Sequence, residues 1–259
     1  RRAASEASAA KARDERWIVP PEAFLARARA APANRDEVSA RQLHWVRAVT
    51  LHPDQRVSQL IHYAREIVVE PRGPSELYER ELPEEGDEIE LLIARVHRAD
   101  GTVVEPEERS SGARAMVRWP DLRTGDVVEI AARTWTGPIG RRGDPPFYFI
   151  DFVGSAHTQP VLYNEVVVES PASRPLAVEV LQGAPDRASD TREDGRRVQR
   201  FVWEKPPVVL DEPLAPRLSE VLPLVVGSNY QSWDEFLAWN RGAIAGFDAS
   251  TLPCQVAAE

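Results

Sequence analysis

The chain has almost no cysteine: Cys254, five positions from the end of its 259 residues, is the only one, so no disulfide can form within it. A chain of this length buries enough surface to fold without cross-links, as one large all-β domain or two smaller ones. The shortage fits a reducing compartment without requiring one. Long apolar runs are also missing. None approaches the roughly 20 residues that a membrane helix needs, so the chain is not expected to span a membrane with helices. Lysine is confined to Lys11 and Lys205, and the 32 basic residues, nearly all arginine, are outnumbered by 41 acidic ones for a net charge of -9. That balance argues against a nucleic-acid partner, because non-specific binding works by neutralising phosphates. The first residue is Arg1, with neither a methionine nor an apolar signal core, as expected where a leader has been removed or the chain begins inside a longer protein.

What is present reads as mainly β, a large antiparallel β-sandwich with short flanking helices at both ends. Residues 1–37 form a helical lead-in and linker, resembling the tail of an upstream helical region. Within it, "PPEAFLARARAAP" starts on Pro20 and Pro21, carries Phe24 and Leu25 on an apolar face and stops at Pro32. Residues 38–226 form the sandwich, with about ten short strands bounded by Pro, Gly or Asp. "LHWVRAVTL" and "RVSQLIHYAREIVVE" flank the turn "HPDQ" as one hairpin, with Ile61, Tyr63 and Ile67 on one face. Asp100-Gly101 and Asp194-Gly195 mark two more hairpins, for which two-residue turns with positive φ at both positions are expected. Residues 227–259 form a helix and tail. Ser232 and Glu235 make a capping box, and Trp233, Phe236, Leu237 and Ile244 make a stripe that should dock on something large.

Recognisable chemistry is sparse. A Cys254–His157 pair lacks a helix start to activate the thiol, and no histidine follows His157. His44, His52, His62 and His97 all fall in the first β region, but their spacing matches no close-packed ligand pattern and they read as sheet residues. The acidic run Glu76 to Glu90 lacks the glycine-punctuated spacing of a calcium loop and reads as a solvated edge. The glycines of "WTGPIGRRGDPPFYF" lack the ending and the helix of a phosphate loop. Its planar and cationic residues Trp135, Arg141, Arg142 and Tyr148 are instead a candidate binding surface for a peptide or partner domain. Against that stands the plainer reading that the aromatics are core and the arginines solubilising. No catalytic residue, metal ligand or cofactor is expected.

The ordered segments "LLIARVHRADGTVVEP", "WPDLRTGDVVEIAAR", "FYFIDFVGSAHTQPVLYNEVVVESP", "RFVWEKPP" and "PLVVGSNYQSWDEFLAWNRG" resemble the transglutaminase-associated family called domain of unknown function 3857, over about residues 42–242. The resemblance implies a bacterial protein in which a β-rich domain precedes a transglutaminase-like core, and it slightly favours a periplasmic or extracytoplasmic location. It also implies that the helix of Trp233, Phe236 and Trp239 leads into that core. The Cys, His, Asp order of such a core has no counterpart here. The expected function is therefore a non-catalytic accessory or interaction module, with an adjoining transglutaminase-like domain or another protein as its partner. The alternatives are a carbohydrate- or peptide-binding protein using the 135–148 loop, and a hydrolase with an acidic pair or His157 in a sandwich cleft.

Overall fold

The computed structural model describes residues 11–30, 38–71, 78–79, 88–112, 116–137, 147–156, 159–209, 218–232, 234–238 and 241. Helix α1 (Pro21–Ala30) comes first, then β1 (Ala40–Leu51), β2 (Val57–Ile67), β3 (Tyr78–Glu79), β4 (Glu88–His97), β5 (Val103–Val104), β6 (Glu108–Ser110), β7 (Met116–Arg118) and β8 (Val127–Thr136). The second half supplies β9 (Tyr148–Phe152), β10 (Ser155–Ala156), β11 (Tyr163–Pro171), β12 (Ala177–Leu181), β13 (Arg187–Glu193), β14 (Arg196–Glu204), β15 (Val208–Val209), the short helix α2 (Leu218–Val221) and β16 (Leu224–Ser228). Eight strands form one large sheet in the order β13-β14-β11-β1-β2-β8-β4-β5. Two three-stranded sheets, β12-β16-β9 and β3-β7-β6, and the pair β10-β15 complete the β structure.

The expected β1–β2 hairpin forms, with Leu51 paired to Val57 across the "HPDQ" turn. The large sheet is mixed, not purely antiparallel, because β11 runs parallel to β1, with Trp45 beside Asn164. The two Asp-Gly turns also differ from each other. Asp194 and Gly195 both adopt positive φ, 50° and 72°, as a two-residue turn of this hand requires. At the other hairpin only Gly101 is left-handed, at 88°. There Gly101 N–H donates to the Arg98 carbonyl, Arg98 N–H donates to the Thr102 carbonyl, and the Asp100 side chain accepts from Thr102. That makes a three-residue loop with glycine at its left-handed last position.

Pleating divides the large sheet into two unlike faces. On one face Ile61, Tyr63, Ile67, Val96, Val128 and Ile130 pack with Val117, Trp119 and Leu122. Farther along the same face Val49, Leu51, Val166, Val168 and Trp203 pack against Phe149, Val153, Leu176 and Val225, which joins the β12-β16-β9 sheet to the large one as a sandwich. The opposite face is crossed by residues 11–30, here called the strap. Phe24 packs with Leu43, Ala64 and Val127. Trp17 and Ile18 lie on Ala48, Leu60, Val167 and Val198. This second face mixes apolar residues with many ionisable ones.

Candidate functional site

The small sheet turns its outer face to solvent. Pairing aligns Tyr148 with Ser228, Ile150 with Val226 and Phe152 with Leu224, so alternate residues of β9 and β16 share that face. On the other side of β16, Glu179 lies beside Val226 and Leu181 beside Leu224. Tyr148 is 65% exposed and Ile150 44%, although both belong to a β-strand. An open groove of about 660 Å³ runs over this surface, lined by Tyr148, Ile150, Glu179, Val226, Tyr230 and Phe236 among others.

The groove wall is held by short polar links. Ser228 Oγ donates to the Phe147 carbonyl at 3.1 Å and accepts from Tyr230 N–H at 3.1 Å. The Gln231 side-chain amide donates to the Pro175 carbonyl at 2.9 Å. The Glu235 N–H donates to Ser232 Oγ at 3.2 Å, half of the expected capping box, while the Glu235 carboxylate reaches Gln231 N–H instead of that of Ser232. Phe236 then meets Tyr230 edge-on at 5.8 Å. Burial raises the Tyr230 phenol pKa, helped by nearby Glu235. Beneath the groove Gly227 is obligatory in size, because a β-carbon there would fall 2.1 Å from the Phe149 ring. Among the described lining residues Glu179 is the one that carries a charge. Such a lining suits recognition of an apolar surface with few polar contacts.

The strap-covered face carries the ionisable groups. Ala64 of β2 sits between His44 and Glu129 in register, and its small side chain lets His62 and His97 reach Glu129 diagonally. His62 Nε2 lies 3.2 Å from Glu129 Oε1, and His97 Nε2 lies 2.5 Å from Oε2. Arg95 donates to both oxygens, at 2.7 and 3.3 Å. Burial opposes the charge on Glu129, but these three donors hold its carboxyl well below the usual carboxylate range. His44 Nε2 is 3.2 Å from His62 Nδ1. Three of the four histidines singled out in the sequence thus converge, with His52 apart from them, bonded to Ser58 Oγ at 2.6 Å. They make a hydrogen-bonded relay, with a guanidinium already on the carboxylate where a cation would have to sit. Among the described residues no group of three or more such side chains has the geometry of a metal site.

Elsewhere on this face Glu169 accepts from Arg13 at 3.1 Å, Arg16 at 2.6 Å and also Arg196. Arg133, fully buried, bonds Glu90 at 2.8 Å and lies 3.7 Å from Asp14. These ion pairs fasten the strap to the sheet.

The structure separates some sequence candidates and unites others. Trp135 belongs to the large sheet, under Arg56 at 4.5 Å and beside His52 at 5.0 Å, while Tyr148 stands on the outer face of the small one. Tyr148 instead shares its groove with Phe236, so the loop candidate and the docking-helix candidate meet in one place. Arg141, Arg142, Trp233, Trp239, His157, Ile244 and Cys254 lie outside the described residues. Glu129, Arg95, Asp14 and Val226 were not singled out from sequence. For Glu129 the signal was a lone carboxylate inside the apolar run "DVVEIAA".

No curated protein matches the chain in sequence. Among solved structures it resembles one described as a "putative protease" from Parabacteroides distasonis ATCC 8503, with TM-score 0.66 and 18% identity, over 82% of this chain and 44% of that one. Looser likenesses are the M1 zinc metallopeptidase from Deinococcus radiodurans (TM-score 0.37, 14% identity, 73% and 42% coverage) and Legionella pneumophila aminopeptidase A in complex with aspartic acid (TM-score 0.38, 10% identity, 75% and 22% coverage). Those two overlap too loosely to bear on the fold, and the chain spans less than half the length of any of the three. Residues 85–209, from the β4 hairpin through β15, match the family described as Domain of Unknown Function with solved-structure structure (DUF3857), and this match supports the family resemblance read from the ordered motifs.

Proposed function

We propose that this chain is a non-catalytic accessory module of a transglutaminase-like protein, and that the groove on its small sheet docks the neighbouring transglutaminase-like domain. The observation that carries this reading is the apolar face of Tyr148, Ile150 and Val226, walled by Tyr230 and Phe236, with no nucleophile and base within bonding reach of each other among its described lining residues. Contiguous apolar surface of this kind, with Glu179 at its rim, is typical of a protein-binding patch. The buried carboxylates Glu129 and Glu169 lie under the strap, each held by arginines. The fold match to less than half of a longer protein supports a module that works beside other domains.

The test is amide chemical-shift mapping while a transglutaminase-like domain is titrated in. Shifts should concentrate at residues 148–152, 177–181 and 224–237. Shifts centred on the strap or on β13, or no shifts at all, would contradict the proposal.

A further inference from the structure

Where the strap crosses the histidine relay, its contacts depend on where protons sit. His62 Nδ1 accepts the Val19 N–H at 2.9 Å, and the same nitrogen faces His44 Nε2 at 3.2 Å. The other nitrogen of His62 faces Glu129. Both contacts to Nδ1 are donors, so His62 must carry its proton on Nε2 and His44 must donate through its own Nε2. The remaining His44 nitrogen, Nδ1, is then a buried acceptor with no hydrogen-bond partner. Phe24 of the strap closes the site, its ring 5.0 Å from His44, 6.3 Å from His62 and 5.5 Å from His97. We propose that His44 and His62 form a proton-operated latch that holds residues 11–30 on the sheet and releases them when the His44 ring becomes charged.

A second proton on His62 must go to Nδ1, where it confronts the Val19 N–H and the His44 donor. A second proton on His44 must go to Nδ1, which is buried without an acceptor and only 4.5 Å, ring to ring, from His62. Lifting the strap gives both rings water. The charged and titratable groups around the pair are Glu129 from β8, with Arg95 and His97 from β4 bonded to it, and Arg27 from α1. Glu129 alone would welcome a proton nearby, but Arg95 and His97 already occupy it.

Burial, then His62 and Arg27, push the His44 pKa well below 6.5. A histidine depressed in the docked state binds fewer protons there than when released, so docking is complete above about pH 6.5 and weakens as pH falls. Near the strap's other end burial lowers His52 to about 4, which acts in the same direction. Asp14 opposes them: burial raises its pKa to about 6, so the docked strap gains a proton between about 6 and 3.8. Two groups against one leave a net uptake of about one proton on release, which is about tenfold per pH unit in the docking equilibrium.

Hydrogen exchange of the intact chain between pH 8 and 5, corrected for intrinsic rates, tests the latch. Below pH 6.5 protection of residues 17–28 should fall about tenfold per pH unit relative to β11 and β14. His44→Phe, which keeps an aromatic ring against Phe24, should flatten that slope. Strap protection that tracks the sheet at every pH, or an unchanged slope in His44→Phe, would overturn the proposal. Imidazole nitrogen shifts of the unaltered protein at pH 8 give a second reading. Both His44 and His62 should be Nε2–H tautomers, and an Nδ1–H form of His62 would refute the latch because Val19 would lose its acceptor.

Discussion

At the scale of single residues, Glu129 decides how the strap-covered face is held. It is fully buried, and its two oxygens meet Arg95, His62 and His97. Glu129→Gln leaves Arg95 without its counter-charge and weakens the acceptor shared by His62 and His97, a loss of charge-assisted bonds that costs about 1–3 kcal/mol. Urea denaturation at pH 7 should show this as a lower midpoint with an unchanged slope. A carboxylate held below its ordinary value stabilises the fold above about pH 4.5 and loses that contribution as pH falls further, so the difference between the parent and Glu129→Gln should shrink in acid. The sequence made part of this legible. His44 and His62 were visible as neighbours on paired strands, but their joining through Glu129 depends on the β2–β8 register, and that is a long-range choice no local pattern encodes.

Among elements, local turns were legible and distant pairings were not. The β1–β2 hairpin and the Asp194-Gly195 turn follow from residues adjacent in sequence. The parallel β1–β11 pair does not, because alternation reports which face a residue takes and not which way its neighbour runs. Strand partnering also explains the split of the 135–148 candidate. Its two ends enter β8 and β9, which lie in different sheets. In the small sheet the join to the core rests on Gly227, over which the Phe149 ring lies. Gly227→Ala should force that ring aside and cost about 1–3 kcal/mol, as overpacking does. Thermal denaturation would register this as a lower Tm, and a Tm equal to the parent's would mean that the ring has room to move.

At the scale of the whole molecule, a large sheet is covered differently on its two sides. One side is sealed by apolar packing against smaller sheets, and the other by a strap fastened through Glu169, Arg133 and the histidine relay. The outer face of β12-β16-β9 is left uncovered, with Tyr148, Ile150, Phe152 and Leu181 all exposed. A mainly β sandwich with helical flanks was readable from strand spacing, and Tyr148 and Phe236 stood out in the sequence as separate binding and docking candidates. Their meeting in one groove was not readable, since it depends on β16 returning to pair with β9. The most direct test of the docking account is calorimetric titration of a transglutaminase-like domain into the parent chain and into Ile150→Asp, which puts a charge in the groove while leaving the buried face of β9 alone. The account predicts saturable binding to the parent and at least about a tenfold loss of affinity in the variant, as expected for a residue at the centre of an interface. Equal affinity for the two forms would contradict it.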